Sequence, residues 1–372
     1  MTRRAWLALS LAVVLALISA AIVTYLVRPK PPPRLTLTPA RFDQLRGWRD
    51  DRIAAALPAL LRSCAAIRAK PDSAALDALT KTVDFGRVDD WRASCAAAAA
   101  VPANDDGAAR QFFETAFAPV LAGNNNDPEG LFTGYFEINL RGSRRRGGAF
   151  QTPIYRRPPD RSRFSRAEIE DGALAGQGLE LLWLDDPVDA FFLEIQGSGR
   201  VRLPGGGIVR VGYDGSNGKP YIAVGRLLIE RGELPREQVT MASIRAWMKA
   251  HPPKGAALRR DNPSFVFFRE IVGDGPLGAQ RVALTAERSL AVDRAFIALG
   301  LPVWLEVQQR FAPEMIRRLV VAQDAGGAIK GPVRGDLFWG HGDAAASGAG
   351  GMNASGRYYL LLPREIASRL SR

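Results

Sequence analysis

The stretch that decides the fold and the site is Leu319-Val-Val-Ala-Gln-Asp324-Ala-Gly-Gly-Ala-Ile-Lys330-Gly-Pro-Val-Arg-Gly-Asp336-Leu-Phe-Trp-Gly340-His-Gly, near the C-terminus. Its apolar, β-branched start predicts a buried strand that delivers Asp324 into a glycine-rich turn, where backbone can approach a ligand closely. The run from Asp336 to Trp339 predicts a second short strand. We therefore expect two carboxylates on neighbouring strand ends.

The chemistry of the two aspartates has two interpretations from the residues alone. A carboxyl group beside Leu337, Phe338 and Trp339 is expected to have a raised pKa, which a general acid at neutral pH needs. Alternatively, both aspartates hydrogen-bond turn amides, as aspartates in turns commonly do.

Further segments, in a fixed order along the chain, connect this stretch to a known family. Gln323 to Gly331, followed by Gly335 to Gly340, resembles the C-terminal "3D" motif of the membrane-bound lytic murein transglycosylase A family. The upstream segments that resemble the same family are Gly134-Tyr-Phe-Glu, Gln151-Thr-Pro-Ile-Tyr-Arg, Phe192-Leu-Glu-Ile-Gln-Gly-Ser-Gly199, Gly212-Tyr-Asp-Gly-Ser-Asn-Gly218, Asn262-Pro-Ser-Phe-Val-Phe-Phe268 and Ser289-Leu-Ala-Val-Asp293.

The resemblance implies a mainly β fold with N-terminal helices, of the α+β class. The outer part would be a double-psi β-barrel, with an inserted second β-domain and a glycan groove between the two. The expected organisation is an N-terminal anchor or signal with a Pro-rich spacer over 1–33, helices and the start of the barrel over 38–133, the glycan-binding insert over 134–255, and the catalytic barrel part over 256–372.

The implied activity is cleavage of the β-1,4 bond between N-acetylmuramic acid and N-acetylglucosamine of peptidoglycan, with formation of 1,6-anhydromuramic acid. Asp336 would serve first as acid and then as base. Asp324 would orient Asp336 or stabilise positive charge, and its like charge would raise the pKa of Asp336. The residues expected to bind substrate are Tyr135, Gln196, Gly197, Ser198 and Lys330.

Two other functions remain open. An aspartate pair could activate water in a murein hydrolase of glycan or of peptide, since Asp324-Ala-Gly resembles the Asp-Thr-Gly of aspartic peptidases. The other open function is a non-catalytic murein-binding scaffold.

The literal G-x-G-x-x-G at Gly273 to Gly278 has Pro276 in its turn and no repeated strand–helix–strand units after it, which argues against a dinucleotide site. The resemblance places this segment in a surface connection.

The composition of the chain limits the classes of partner that we expect it to bind. The 372 residues carry a net charge of +12, which favours polyanions, and murein with its peptide and lactyl carboxylates is one. The arginine turn over 141–146 has no interleaved aromatic residues, so we do not expect nucleic acid. With only two histidines we expect no metal, and no cofactor is implied. The expected partners are peptidoglycan glycan strands and the membrane, with cell-wall synthesis proteins as further candidates.

The N-terminus predicts export. Ala5 to Val27 contains no charged residue and is long enough for a membrane span, which needs about 20 residues. We expect an uncleaved helix that anchors a periplasmic protein in the inner membrane, with cleavage near Ala20 and release into the periplasm as the alternative. In an exported protein, Cys64 and Cys95 are expected to pair, although two separate buried thiols remain open.

Hydrophobic periodicity predicts the secondary structure. Helices are expected over 41–70, 91–100, 108–121, 221–231 and 238–249. Strands are expected over 131–140, 149–155, 181–184, 190–196, 200–203, 207–213, 264–268, 303–307, 319–321 and 358–362.

Overall fold

A computed structural model describes residues 31–159, 164–273, 275–309 and 315–370. The predicted membrane anchor, Ala5 to Val27, lies outside these ranges. Among the described residues, none of the helices combines the length and the apolar character that crossing a bilayer requires.

The chain is a mixed α+β protein in which sheet predominates. Its strands are β1 Leu35–Pro39, β2 Phe117–Asn124, β3 Gly130–Ser143, β4 Thr152–Tyr155, β5 Glu180–Leu184, β6 Ser198–Arg202, β7 Ile208–Ser216, β8 Val266–Glu270, β9 Ser289–Val292, β10 Pro302–Gln309, β11 Met315–Asp324, β12 Arg334–His341 and β13 Asn353–Pro363. Its helices are α1 Leu57–Arg68, α2 Val88–Ala99, α3 Asp106–Ala116, α4 Arg166–Glu170, α5 Pro187–Gln196, α6 Val224–Glu230, α7 Met241–Ala250, α8 Pro252–Arg260, α9 Asp343–Gly351 and α10 Arg364–Leu370.

Six strands close into a ring. Going round it, β3 pairs with β12, β12 with β9, β9 with β11, β11 with β10, β10 with β13, and β13 again with β3. The β9–β11 and β3–β12 pairings are parallel and the other four are antiparallel. The largest core fills this part, and it includes Phe132, Trp304 and Tyr358, each fully buried.

Two helix predictions in the N-terminal part were too long. The helix expected over 41–70 is reduced to α1, because Gly47 takes a φ of 77° that interrupts it, and α1 begins only at Leu57, with Pro58 in its first turn. Proline is favoured in the first turn of a helix. The helix expected over 108–121 ends at Ala116, and the chain continues as β2. Pro119 would have broken a longer helix, and β2 instead pairs with β1 and β13.

The helices α1 and α2 carry Cys64 and Cys95, which form a disulfide with 5.4 Å between their Cα atoms. The two cysteines are 31 residues apart. On the chain-entropy argument, closing a loop of this length stabilises the fold by roughly 3–4 kcal/mol.

A second sheet is formed mainly by the part of the chain between β3 and β9. It has the order β3-β6-β7-β8, and β4 and β5 form a pair at the end of β3. The strand predicted over 190–196 was wrong, because this segment is the helix α5. Asp186 caps its first turn by accepting hydrogen bonds from the amides of Val188 and Asp189, and Pro187 starts it. This start signal outweighs the aromatic run that suggested a strand.

The long strand β3 belongs to both sheets. Its first half pairs with β12 and β13 in the ring, and its second half pairs with β6 and β5. One continuous strand therefore links the ring to the second sheet.

Candidate active site

The two predicted aspartates flank one strand. Asp324 is the last residue of β11, as predicted, whereas Asp336 lies inside β12 rather than at its end. Their strands are not neighbours, because β9 runs between them, and both aspartates are Cα partners of Ala291. Since adjacent strands are about 4.8 Å apart, the two backbones are separated by roughly 10 Å.

The carboxyl group of Asp336 has one described donor. The hydroxyl of Thr133, on β3, donates to its Oδ1 at 2.7 Å. The same hydroxyl accepts a hydrogen bond of 2.8 Å from the guanidinium of Arg334. Because a guanidinium can only donate, Thr133 must accept from Arg334 and keeps its own hydrogen for Asp336. A proton carried by Asp336 therefore belongs on Oδ2.

This environment raises the pKa of Asp336 to about 6 from its ordinary value of 3.8. Burial is the largest cause and the negative charge of Asp324 adds to it, while the hydrogen bond from Thr133 and the charge of Arg334 act in the opposite direction. The predicted rise in the pKa of Asp336 and the predicted contribution of Asp324 are both present. Asp336 thus has a pKa suited to donating and accepting a proton near neutral pH.

Asp324 is held quite differently. Its Oδ2 accepts a hydrogen bond of 2.7 Å from the hydroxyl of Tyr135, and its Oδ1 accepts two of 2.8 Å from the backbone amides of Ala279 and Ala325. The pKa of Asp324 is raised overall, because the effect of burial outweighs that of these three donors, which lower it. The three hydrogen bonds fix the orientation of the carboxylate and favour its charged form.

Buried polar contacts hold the segments around the two aspartates. The carboxylate of Asp293, just after β9, accepts a hydrogen bond of 2.9 Å from the amide of Gly331, at the end of the glycine-rich turn. The side chain of Gln323 donates to the carbonyl of Ala59 and to the hydroxyl of Ser63, both at 2.8 Å, and so ties β11 to α1. The glycine-rich turn is therefore anchored at both of its ends.

Family models and known relatives match this architecture. The model described as the MltA specific insert domain matches residues 131–269, and the model of the 3D domain matches residues 288–362. The membrane-bound lytic murein transglycosylase A of Escherichia coli strain K12 is 37% identical over 249 residues, which are 65% of this chain and 68% of the relative. The chain belongs to the membrane-bound lytic murein transglycosylase A family.

Solved structures agree with the family assignment. A membrane-bound lytic murein transglycosylase from Agrobacterium tumefaciens superposes with a TM-score of 0.80 at 32% identity, covering 90% of this chain and 99% of that one. The Escherichia coli family member with bound chitohexaose has a TM-score of 0.66 at 30% identity, covering 90% of this chain and 95% of that one. Asp324 and Asp336 both lie within the match to the 3D domain.

Of the residues predicted to bind substrate, Tyr135 lies beside the aspartates, through its hydrogen bond to Asp324. Gln196 and Ser198 are buried, and the Gln196 amide accepts from the backbone of Phe136 and lies 3.2 Å from the sulfur of Met241. Gly197 is half-buried with open space beside its Cα, and Lys330 is exposed. For all five residues, including Tyr135, saccharide binding stays a prediction.

Three contributors to the site were missed in the sequence. Thr133 stands one residue before the quoted Gly134-Tyr-Phe-Glu segment, and Arg334 stands two residues before Asp336. The third is the amide of Ala279, which follows a segment expected to be a surface connection, although Gly275, Pro276 and Gly278 are buried. No local pattern announces these contacts, because each depends on which strands and loops lie side by side.

No group of three or more metal-binding side chains is present in the described parts of the chain. A cavity of about 250 Å³ lies elsewhere, lined by residues 75–77, 80–86 and Ala298. Around the two aspartates the described contacts differ: Asp324 accepts three hydrogen bonds, whereas Asp336 accepts one, on Oδ1.

Proposed function

We propose that this chain is a lytic transglycosylase that cleaves the β-1,4 bond between N-acetylmuramic acid and N-acetylglucosamine of peptidoglycan and leaves a 1,6-anhydromuramic end. The observation that carries the proposal is the unequal treatment of the two aspartates. Asp336 has an oxygen without a described donor and a pKa of about 6, whereas Asp324 accepts three hydrogen bonds. One group is suited to move a proton and the other to stay charged.

The first step uses Asp336 as a general acid. Its Oδ2 proton passes to the glycosidic oxygen, the bond to C1 of the muramic residue breaks, and positive charge develops at C1. Thr133 holds Oδ1 of the same carboxyl group, which leaves Oδ2 as the oxygen that donates the proton.

The second step uses the same group as a general base. The carboxylate of Asp336 takes the proton from the C6 hydroxyl of the muramic residue, and the C6 oxygen attacks C1 to close the anhydro ring. Asp336 is thereby protonated again, ready for the next bond. No water enters the reaction, so no second carboxylate is needed to activate one.

Asp324 supplies a fixed negative charge. Because its three hydrogen-bond donors are already in place before the substrate binds, the carboxylate of Asp324 needs no reorientation as positive charge develops at C1. In the ground state the same charge raises the pKa of Asp336. Asp324 therefore favours both the protonated acid at the start and the cationic centre that follows.

The proposal also includes the finer details of the fold that we expect for this family. We assign the six-stranded ring to a double-psi barrel, which its mixture of parallel and antiparallel pairings supports. We place the glycan groove between the ring and the second sheet, with boundaries near 134 and 255 for the insert. The Escherichia coli relative solved with bound chitohexaose supports a β-1,4-linked glycan as the ligand.

We place the protein in the periplasm and at a membrane, as the name of its relatives suggests. Attachment would use the apolar run from Ala5 to Val27. Replacement of residues 1–33 by a cleavable signal peptide should then keep export and move the protein from the membrane fraction to the soluble periplasmic fraction, without loss of activity on isolated murein.

The decisive experiment is product analysis by mass spectrometry after incubation with murein. Anhydromuropeptides are expected from the wild type and none from Asp336→Asn, with murein binding retained in that variant. Reducing-end muropeptides or cut peptides would instead show a hydrolase, and binding without cleavage by the wild type would show a scaffold. Full activity in Asp336→Asn would refute the role of this aspartate.

A further inference from the structure

The polar face of the sheet continues beyond the two aspartates. Along β3, side chains alternate between two faces, and Phe136, Ile138 and Leu140 are buried in the core of the second sheet. Thr133, Tyr135 and Glu137 therefore share the opposite face, with Asn139 following them. The first two contact Asp336 and Asp324. The same face of β3 thus leads from the reacting carboxyl groups onto the second sheet.

Two arginines extend this face onto the neighbouring strands. Arg200 on β6 is the Cα partner of Asn139, and Arg210 on β7 is the Cα partner of Arg200. Their neighbours Val201 and Val211 are fully buried in the core on the other face. Since Cα partners point to the same side of a sheet, Arg200 and Arg210 lie side by side on the polar face.

Among the described residues, Glu137 forms an ion pair with Arg210 only, although the positive charges of both arginines oppose the rise in its pKa that burial causes. Arg210 Nε lies 2.8 Å from Oε1 of the buried Glu137, although the two are not aligned as a hydrogen bond, and Arg210 Nη1 donates to the carbonyl of Gly273 at 2.7 Å. The side chain of Arg200 is half-buried and makes no hydrogen bond or ion pair among the described residues. The exposed His341 is the Cα partner of Glu137 and adds no negative charge.

This arrangement is short of one negative charge. Like charges directly opposite each other in a sheet are destabilising, and Glu137 can balance only one of the two arginines. The planar fork of an arginine matches a carboxylate, which it can bind through two parallel hydrogen bonds. A carboxylate from outside the protein would supply the missing charge at Arg200.

We propose that Arg200, beside the Glu137-held Arg210, is a subsite for a carboxylate of the peptide stem of murein. The inference rests on the function proposed above. Asn139 is six residues from Thr133 along β3, which places Arg200 roughly 20 Å from the reacting carboxyl group. This distance exceeds one sugar ring, so the group bound at Arg200 belongs to a substituent or a more distant unit of the glycan.

The test compares substrates that differ in their carboxylates. Murein glycan with peptide stems carries stem carboxylates, amidase-treated glycan carries only the free lactyl carboxylate, and chitohexaose carries neither. For Arg200→Gln we expect KM to rise about tenfold or more on peptide-bearing glycan with kcat unchanged, as for loss of a hydrogen-bonded charge pair. KM on amidase-treated glycan and the Kd for chitohexaose should stay at the wild-type values.

Two further variants and a stability measurement separate this role from a structural one. Arg226→Gln removes the same charge from an exposed position on α6 and should leave KM unchanged on every substrate. Arg200→Lys keeps the charge without the fork and should give an intermediate KM. Because the side chain of Arg200 makes no hydrogen bond or ion pair among the described residues, and Arg210 remains as the ion-pair partner of Glu137, Arg200→Gln should not lower the melting temperature.

The outcomes are distinguishable from failure of the proposed function. If the wild type yields no anhydromuropeptides, the proposed function falls and this inference falls with it. If the wild type is active but Arg200→Gln raises KM equally on peptide-bearing and peptide-free glycan, the site reads the lactyl carboxylate or the sugar instead of the stem. An unchanged KM on all substrates, or a large loss of stability, also overturns the inference.

Discussion

The replacement of Asp336 by asparagine should stabilise the protein while it abolishes activity. The pKa of the Asp336 carboxyl is about 6 in the folded chain, against an ordinary value of 3.8. In the folded protein the group therefore holds its proton up to about pH 6, whereas in the unfolded chain it has lost the proton above about pH 4. Between these limits the folded state binds more protons, so wild-type stability falls as pH rises.

The size of the effect follows from the difference between the two pKa values. A difference of about two pH units corresponds to about 3 kcal/mol, lost progressively between about pH 4 and pH 6. Asparagine cannot ionise and can still accept the hydrogen bond from Thr133 through its own oxygen. Asp336→Asn should thus match the wild type in free energy of unfolding near pH 4 and exceed it by up to about 3 kcal/mol at pH 7.5.

The assay is chemical denaturation of both proteins at pH 4 and pH 7.5, with the disulfide intact. Asp50→Asn is the matched control, because Asp50 is an exposed carboxyl outside the site, and it should show no such pH-dependent gain. Equal stability of Asp336→Asn and the wild type at both pH values would refute the argument that burial holds the pKa high. So would destabilisation that appears only at pH 7.5.

Three other predictions concern the contacts of the two aspartates and the disulfide. Activity should fall about tenfold for each pH unit above about 6, because the acid form of Asp336 is depleted. Thr133→Val should move this fall to higher pH, because it removes a hydrogen bond that lowers the pKa of Asp336. A pH–rate profile identical to that of the wild type would contradict this. Tyr135→Phe should raise the pKa of Asp324 and lower kcat for anhydromuropeptide release by about tenfold. The kcat values are compared under conditions in which the variant and the wild type are both fully folded. Cys64→Ser combined with Cys95→Ser should lower the free energy of unfolding by roughly 3–4 kcal/mol and leave kcat unchanged at low temperature.

The sequence predicts the two aspartates but not their spacing. An apolar run that ends in Asp324 among glycines marks a strand end, and the bulky neighbours of Asp336 announce a raised pKa. Neither pattern reveals that β9 lies between the two strands, with Ala291 as the shared partner. Strand order is set by long-range packing, so it cannot be read from either segment alone.

The missed partners have a similar cause. Thr133 and Arg334 are ordinary residues in their own segments and acquire their role only where β3 lies parallel to β12. The wrong strand over 190–196 has a local cause instead: Asp186 and Pro187 form a helix start that was available in the sequence. The aromatic run after it carried too much weight, because both helices and strands can bury such a run.

The register of β3 couples the proposed catalytic residues to the proposed substrate-binding arginines. Thr133, Tyr135 and Glu137 occupy alternate positions of one strand, and they respectively hold Asp336, Asp324 and Arg210. Because side chains alternate along a strand, a slip of one residue would turn all three into the core and expose the apolar set instead. Gly134 helps to pin this register: a Cβ there would lie 2.6 Å from the indole nitrogen of Trp339, so only glycine fits. The proton donor, the fixed negative charge and the arginine face are thus set by a single strand, so a change that shifts β3 should disturb all three together.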